Sequence, residues 1–68
     1  MVDIHKIPDG ELVEDRRASI EDIENCEKAL NLGIREYSGK SVMERLRVNR
    51  KIVTKIDGEV ERRLNEKG

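Results

Sequence analysis

The side chains best suited to catalysis are one histidine and one cysteine, and neither has neighbours that would support it. His5 lies between an isoleucine and a lysine near the start of the chain, a setting typical of an exposed residue rather than a general base. Cys26 is flanked by Asn25 and Glu27, whereas a reactive thiolate needs a positive neighbourhood and a base. We therefore predict that Cys26 is buried as a small hydrophobic residue. No pair of carboxylates falls in an apolar setting that would raise a pKa for acid–base work.

Phosphate binding is suggested by one short pattern, Gly39-Lys40-Ser41, which resembles the end of a P-loop. The full motif needs four residues between its glycines and follows a strand of a parallel sheet. Gly33 and Gly39 are separated by five residues, and no strand precedes them. Nucleotide hydrolysis is therefore not predicted.

Metal and disulfide chemistry are limited by the same scarcity of ligands. The 68 residues include one Cys and one His, whereas four-coordinate zinc needs several such ligands. A single cysteine also excludes an intramolecular disulfide. We predict no metal, no cofactor, no catalytic residues and no enzymatic activity.

A run of basic residues offers a different chemistry, namely contact with phosphate or with acidic groups. Residues 1–27 carry nine acidic and three basic side chains, a net charge of −6, and residues 28–68 carry eleven basic and six acidic ones, +5. The favoured interpretation is an acidic first helix beside a basic second helix; the alternative is a nucleic-acid surface. The candidate contacts are Arg45, Arg47, Arg50, Lys51 and Lys55.

A ribbon-helix-helix dimer is the most specific form of the nucleic-acid alternative. It would use a strand near Ile4–Ile7, followed by two helices. The polar stretch and turn across residues 8–18 are too long for that pattern, and Pro8-Asp9-Gly10 interrupts it.

The second helix is the most regular element that the sequence predicts. Ser41-Val42-Met43-Glu44 forms a capping box at its start, and apolar residues then recur at helical spacing through residue 65. Asp57-Gly58 is the weak point of this helix. Asn49 interrupts the stripe, either as a polar edge of the core or as a determinant of register and oligomeric state.

The first helix is predicted to begin with Ser19 as its N-cap and to end near residue 38. Asn31-Leu32-Gly33-Ile34 alternatively indicates a Schellman ending at Gly33. We favour the continuous helix, because Ile34 and Tyr37 extend the stripe and an interior glycine costs only about 1 kcal/mol. Residues 1–18 are expected to form a short extended arm or a β-hairpin.

These elements predict one all-α domain, an antiparallel helical hairpin over 19–38 and 41–65. Because a chain of about 60 residues is marginal alone, we expect a homodimer that forms a four-helix bundle. The predicted core and dimer residues are Ile20, Ile23, Leu30, Ile34, Tyr37, Val42, Leu46, Val53, Ile56, Val60 and Leu64.

The functional expectation is a small non-enzymatic interaction or regulatory protein that binds another protein as a homodimer. Nucleic-acid binding through the basic helix is the alternative. The lone cysteine fits a reducing compartment, and neither a secretory signal nor an apolar run of about 18 residues is evident, so we expect a cytoplasmic protein without a membrane partner.

Overall fold

The computed structural model describes residues 3–67 and consists mainly of two helices packed in opposite directions. Helix α1 spans Asp9–Asn31 and helix α2 spans Val42–Lys67. Contacts between them run from Asp9–Arg63 at one end to Asp22–Arg45 towards the other, which makes the pair antiparallel. The hairpin therefore has a terminal end, where the chain begins and finishes, and a loop end. Across the described residues, neither helix has an apolar stretch that could cross a membrane.

The start of α1 differs from the predicted start at Ser19. Pro8 has the extended angles φ −60° and ψ 150°, and its carbonyl accepts the N–H of Leu12. Asp9 and Glu11 then fill the first turn, where the helix dipole favours acidic side chains. Leu12 is the most completely buried large side chain, so burial of its side chain favours a helix that begins ten residues earlier than its cap signals suggested.

The predicted arm is consequently short. A 3₁₀ turn at Ile4–Lys6, called the N-terminal turn below, is followed by an extended link at Ile7 and Pro8. Asp3 caps this turn by accepting the N–H of His5 at 3.0 Å. Residues 1 and 2 of the predicted arm lie outside the described part of the chain.

The end of α1 follows the Schellman alternative rather than the favoured continuation to Tyr37. The N–H of Ile34 donates to the carbonyl of Ala29 at 2.8 Å, and the N–H of Gly33 donates to Leu30 at 3.0 Å. Gly33 has a φ of +82°, a conformation that costs other residues about 1–2 kcal/mol. These paired carbonyls and the relaxed glycine outweigh the apolar continuation, so Ile34 and Tyr37 leave the helix.

A tight β-hairpin joins the two helices. Strands β1 (Glu36–Tyr37) and β2 (Lys40–Ser41) pair antiparallel, with Tyr37 opposite Lys40. Ser38 and Gly39 between them both have positive φ, 53° and 76°, as a two-residue type I′ turn requires. The Gly39-Lys40-Ser41 pattern is thus part of this turn and strand, and no parallel sheet precedes it between residues 3 and 38.

Helix α2 runs without interruption past the predicted weak point at Gly58 to Lys67. Ser41 caps it, because its Oγ accepts the N–H of Glu44 at 3.3 Å. The carboxylate of Glu44 pairs with Arg47 at 3.4 Å.

The core is small and lies between the helices. Cys26, Val42 and Leu46 form one buried cluster near the loop end, while Leu12 and Ile56 are buried elsewhere along the helix pair. Among the predicted core and dimer residues, those that are half-buried in the single chain are Ile20, Ile23, Leu30, Val53 and Val60. Those that are exposed are Ile34, Tyr37 and Leu64.

Two alanine substitutions should change stability in opposite directions. Gly33→Ala should lower the free energy of unfolding by about 1 kcal/mol, because alanine resists a φ of +82°. Gly58→Ala should raise it by about 0.5–1 kcal/mol, because Gly58 lies inside α2 with open space around its Cα. Urea denaturation followed by circular dichroism measures both. Equal effects in the two variants would contradict the Schellman ending.

Candidate interaction surfaces

Glu59 is the centre of a polar cluster that closes the terminal end. Its side chain is only 2% exposed, and it accepts hydrogen bonds from Arg62 at 2.8 and 2.9 Å and from Arg63 at 2.6 Å. Nδ1 of His5 lies 2.7 Å from the same carboxylate. Because an ionised carboxylate only accepts, Nδ1 carries the proton in this contact.

These donors hold the pKa of Glu59 well below a carboxyl group's usual range. The hydrogen bond from Arg62 is the largest cause, and those from Arg63 and His5 add to it, while burial of the carboxylate opposes the shift. The charge is therefore kept at all moderate pH values. A buried carboxylate with such partners is structural: removing its partners would leave an uncompensated charge.

Arg63 connects this cluster to the N-terminal turn and to α1. Its Nη2 donates to the carbonyls of Ile7 at 2.6 Å and Ile4 at 3.1 Å, and its Nη1 donates to Asp9 at 2.5 Å. The guanidinium thus fixes the turn and the first residue of α1 against α2. His5, predicted to be exposed, has a side chain that is more than half exposed and is held by Glu59.

A second polar contact joins the helices nearer the loop end. Arg45 donates twice to Asp22, both at 2.8 Å, and Asn49 donates to Asp22 at 2.9 Å and to the carbonyl of Arg45 at 2.9 Å. The hydrogen bond from Arg45 is the main cause that lowers the pKa of Asp22. Asn49 is buried, so its place on the apolar stripe serves this contact within the chain.

The predicted basic residues divide into those that pair with carboxylates of α1 and those that face outward, among which Arg47 pairs with Glu44 of its own helix at 3.4 Å. Arg45 is committed to Asp22, and Arg50 approaches Glu27 across the hairpin at 3.6 Å. Arg47, Lys51 and Lys55 are exposed and recur every four residues along the outer side of α2. We call these three the basic strip.

Cys26 is buried, and the region that the structure describes contains no group of three or more His, Cys, Asp or Glu side chains placed to hold a metal ion.

One broad side of the hairpin, which we call the open face, carries apolar residues that the rest of the chain leaves exposed or covers only in part. Val13, Ile20 and Glu27 are spaced by seven residues and therefore lie along one side of α1. On α2, Met43 and Leu64 are spaced by a multiple of seven and lie along the side that faces the same way. Two ion pairs, Arg16–Asp57 at 2.6 Å and Arg50–Glu27, cross between the helices on this side. The apolar residues of the open face are Val13, Ile20, Met43, Val53, Val60 and Leu64.

The opposite side of the hairpin is partly covered by the N-terminal turn. Ile4 from the turn and Ile7 from the extended link line one groove of about 420 Å³ with Ile52 and Ile56 from α2. Val48 continues this side beyond the turn and is 49% exposed.

A groove of about 430 Å³ lies at the loop end, which we call the end groove. Its apolar lining comes from the end of α1, the β-hairpin and the start of α2, and includes Cys26, Ala29, Leu32, Ile34, Tyr37 and Val42. Leu32 and Tyr37 are 78% and 69% exposed. Lys28 and Lys40 also line it.

Sequence reasoning missed the Glu59 cluster, Leu12 and the end groove, for different reasons. Leu12, Ser19 and Cys26 are spaced by seven and are all buried, so this spacing was the signal for the earlier start of α1. Glu59 and His5 are 54 positions apart, and no local pattern relates them. Lys28 and Lys40 line the same groove only because the chain reverses at Gly33 and Gly39.

Comparisons of the chain with protein-family models, with curated proteins and with solved structures find no match.

Glu59→Gln should destabilise the fold most at neutral pH and least in acid. In the unfolded chain the carboxyl titrates near 4.5, and the folded pKa is lower, so its stabilisation is complete above that pH and is lost as pH falls through the folded pKa. At pH 7 the melting temperature should fall by roughly 10 °C. Thermal melts from pH 7 to pH 2 should show the two proteins converging.

Glu61→Gln is the matched control, because Glu61 is exposed on the same helix and makes no ion pair with any side chain that the structure describes. Its melting curve should follow the wild type at every pH. A constant difference between Glu59→Gln and wild type across the range would refute the lowered pKa.

Proposed function

We propose that this protein is a small non-enzymatic interaction module that acts as a homodimer, with two hairpins paired through their open faces into a four-helix bundle. The observation that carries the proposal is the open face itself. Val13 and Leu64 are 58% and 66% exposed there, beside the half-buried Ile20, Val53 and Val60.

The small core supports this assembly. Few large apolar side chains are buried within one chain, and domains of this size commonly gain stability from a partner chain. A second hairpin would remove the exposed apolar residues from water at both ends of the face. Burial of each such side chain contributes about 1.5–3 kcal/mol when it is complete.

The size of the open face is also adequate. The hairpin measures 46 × 23 × 16 Å, so its broad side offers roughly 1,000 Å², compared with about 800 Å² per partner in a standard interface. The Arg16–Asp57 and Arg50–Glu27 pairs on this side are already neutralised within each chain. They would add little repulsion when two identical faces meet across a two-fold axis.

We also propose that the protein acts in the cytoplasm, because an unpaired cysteine is stable in a reducing compartment. Without a catalytic constellation, the module would act by presenting its remaining surfaces to another protein.

Charge on the open face should separate the dimer without unfolding the chain. We expect wild-type protein to sediment as a dimer at micromolar concentration and Val13→Glu with Leu64→Glu to sediment as a monomer, because both positions are exposed in the single chain. Val48→Glu, on the opposite side, is the matched control and should remain dimeric. A folded wild-type monomer at these concentrations would refute the assembly.

Nucleic-acid binding is the second candidate function, and the basic strip is the observation that favours it. Arg47, Lys51 and Lys55 project from one side of α2, and three phosphate contacts predict that log K falls with log salt at a slope of about −3 on duplex DNA.

Titrations with duplex DNA and with RNA at several salt concentrations test this candidate. Arg47→Glu with Lys51→Glu should abolish any binding, whereas Arg17→Glu with Arg35→Glu makes the same change of charge away from the strip and should retain most of it. Absence of binding by the wild type at low salt removes the candidate.

A further inference from the structure

Backbone hydrogen bonds hold the segments that line the end groove. Leu32 and Ile34 are held by the hydrogen bonds of the Schellman ending, and Tyr37 by its pairing opposite Lys40 in the β-hairpin. These exposed apolar side chains therefore extend from a hydrogen-bonded backbone and not from the tip of a long loop. Preorganised apolar groups lose little conformational freedom when a ligand binds, which favours recognition.

The charged groups at the end groove that remain available to a partner are positive. Asp22 is the one carboxylate among the lining residues, and its oxygens already accept hydrogen bonds from Arg45 and Asn49. Lys28 and Lys40 make no ion pair with the side chains that the structure describes. The groove therefore has an apolar lining and two available ammonium groups.

The volume of the groove limits what it can hold. About 430 Å³ is near the lower end of the range of about 300–1,000 Å³ for ligand pockets. It suits a few apolar side chains carried on an exposed segment rather than a large cofactor. Tyrosine is also among the residues that most often contribute strongly to protein interfaces.

We propose that the end groove binds a segment of a partner protein in which adjacent large apolar side chains are flanked by carboxylates. The apolar side chains would pack on Leu32, Ile34 and Tyr37. The flanking carboxylates would pair with Lys28 and Lys40, and this pairing gives the groove its preference for an acidic partner.

This inference deepens the proposed function, since it names the partner of the interaction module, but the groove does not depend on the dimer. Asp22 and Ala29, which line it, lie seven residues apart on the flank of α1 opposite to Val13 and Ile20. Pairing through the open face would leave the end groove of each chain accessible. A dimer would then present two such grooves, and a partner with two matching segments would bind with increased avidity.

Tyr37 is the sole aromatic residue of the chain, so its fluorescence reports directly on the groove. The probe is a synthetic peptide without aromatic residues that carries two adjacent leucines between glutamates; the matched peptide has lysines in place of the glutamates. The glutamate peptide should change Tyr37 emission saturably and bind about tenfold more tightly than the lysine peptide at low salt.

Variants of the protein test separately the contribution of the two lysines and that of the apolar lining to peptide binding. Lys28→Glu with Lys40→Glu should reverse the preference between the peptides, and Leu32→Glu should abolish binding of the glutamate peptide. Val48→Glu should bind as the wild type does. Circular dichroism of each variant confirms that it is folded, which is expected because Lys28, Leu32, Lys40 and Val48 are all exposed.

The dimer-disrupting pair Val13→Glu with Leu64→Glu separates this inference from the proposed assembly. If the groove acts independently, the monomeric variant keeps the same affinity per chain for the glutamate peptide. Equal affinity for both peptides, or no saturable change at millimolar peptide, would overturn the inference. It would also be overturned if Tyr37 emission of that variant alone depended on protein concentration, because a second copy would then occupy the groove.

Discussion

The buried carboxylate of Glu59 is the interaction on which the arrangement of this small protein depends. It is reached by donors from its own helix and from His5, and Arg63 extends the contact to Ile4, Ile7 and Asp9. A buried charge is costly unless it is paired, so the chain at the terminal end must adopt the positions that supply these partners. This requirement places the N-terminal turn on one side of the hairpin and leaves the other side uncovered.

Pairing of charged side chains also determines the structure of the loop end. Asp22, Arg45 and Asn49 satisfy one another between the helices, and the tight β-hairpin then brings the chain back without covering Leu32 or Tyr37. Polar contacts at both ends thus set how the helices align, whereas the apolar core between them is small. The consequence is a hairpin whose surface retains two different apolar regions, the open face and the end groove, on opposite sides.

These two regions support different interactions. The open face is long and is crossed by ion pairs that are neutral within each chain, which suits a second copy with the same pattern. The end groove is compact and bordered by Lys28 and Lys40, which suits an acidic partner. Many of the charges in the sequence are used within the fold, so the split between its acidic and basic halves reflects in part the pairing of one helix with the other.

Local patterns were sufficient to predict the helical class, the presence of two helices and the capped start of α2, because apolar spacing and local cap chemistry act over a few residues. It also contained the Schellman pattern at Gly33, although extension of the apolar stripe argued for a longer helix. The helical state of Glu14 to Arg17 was indicated only by the spacing of Leu12, Ser19 and Cys26, whereas the contact of Glu59 with His5 and the position of Lys28 and Lys40 at one groove depend on the folded chain. The last two outcomes depend on contacts between residues distant along the chain, and a local pattern carries no information about such contacts.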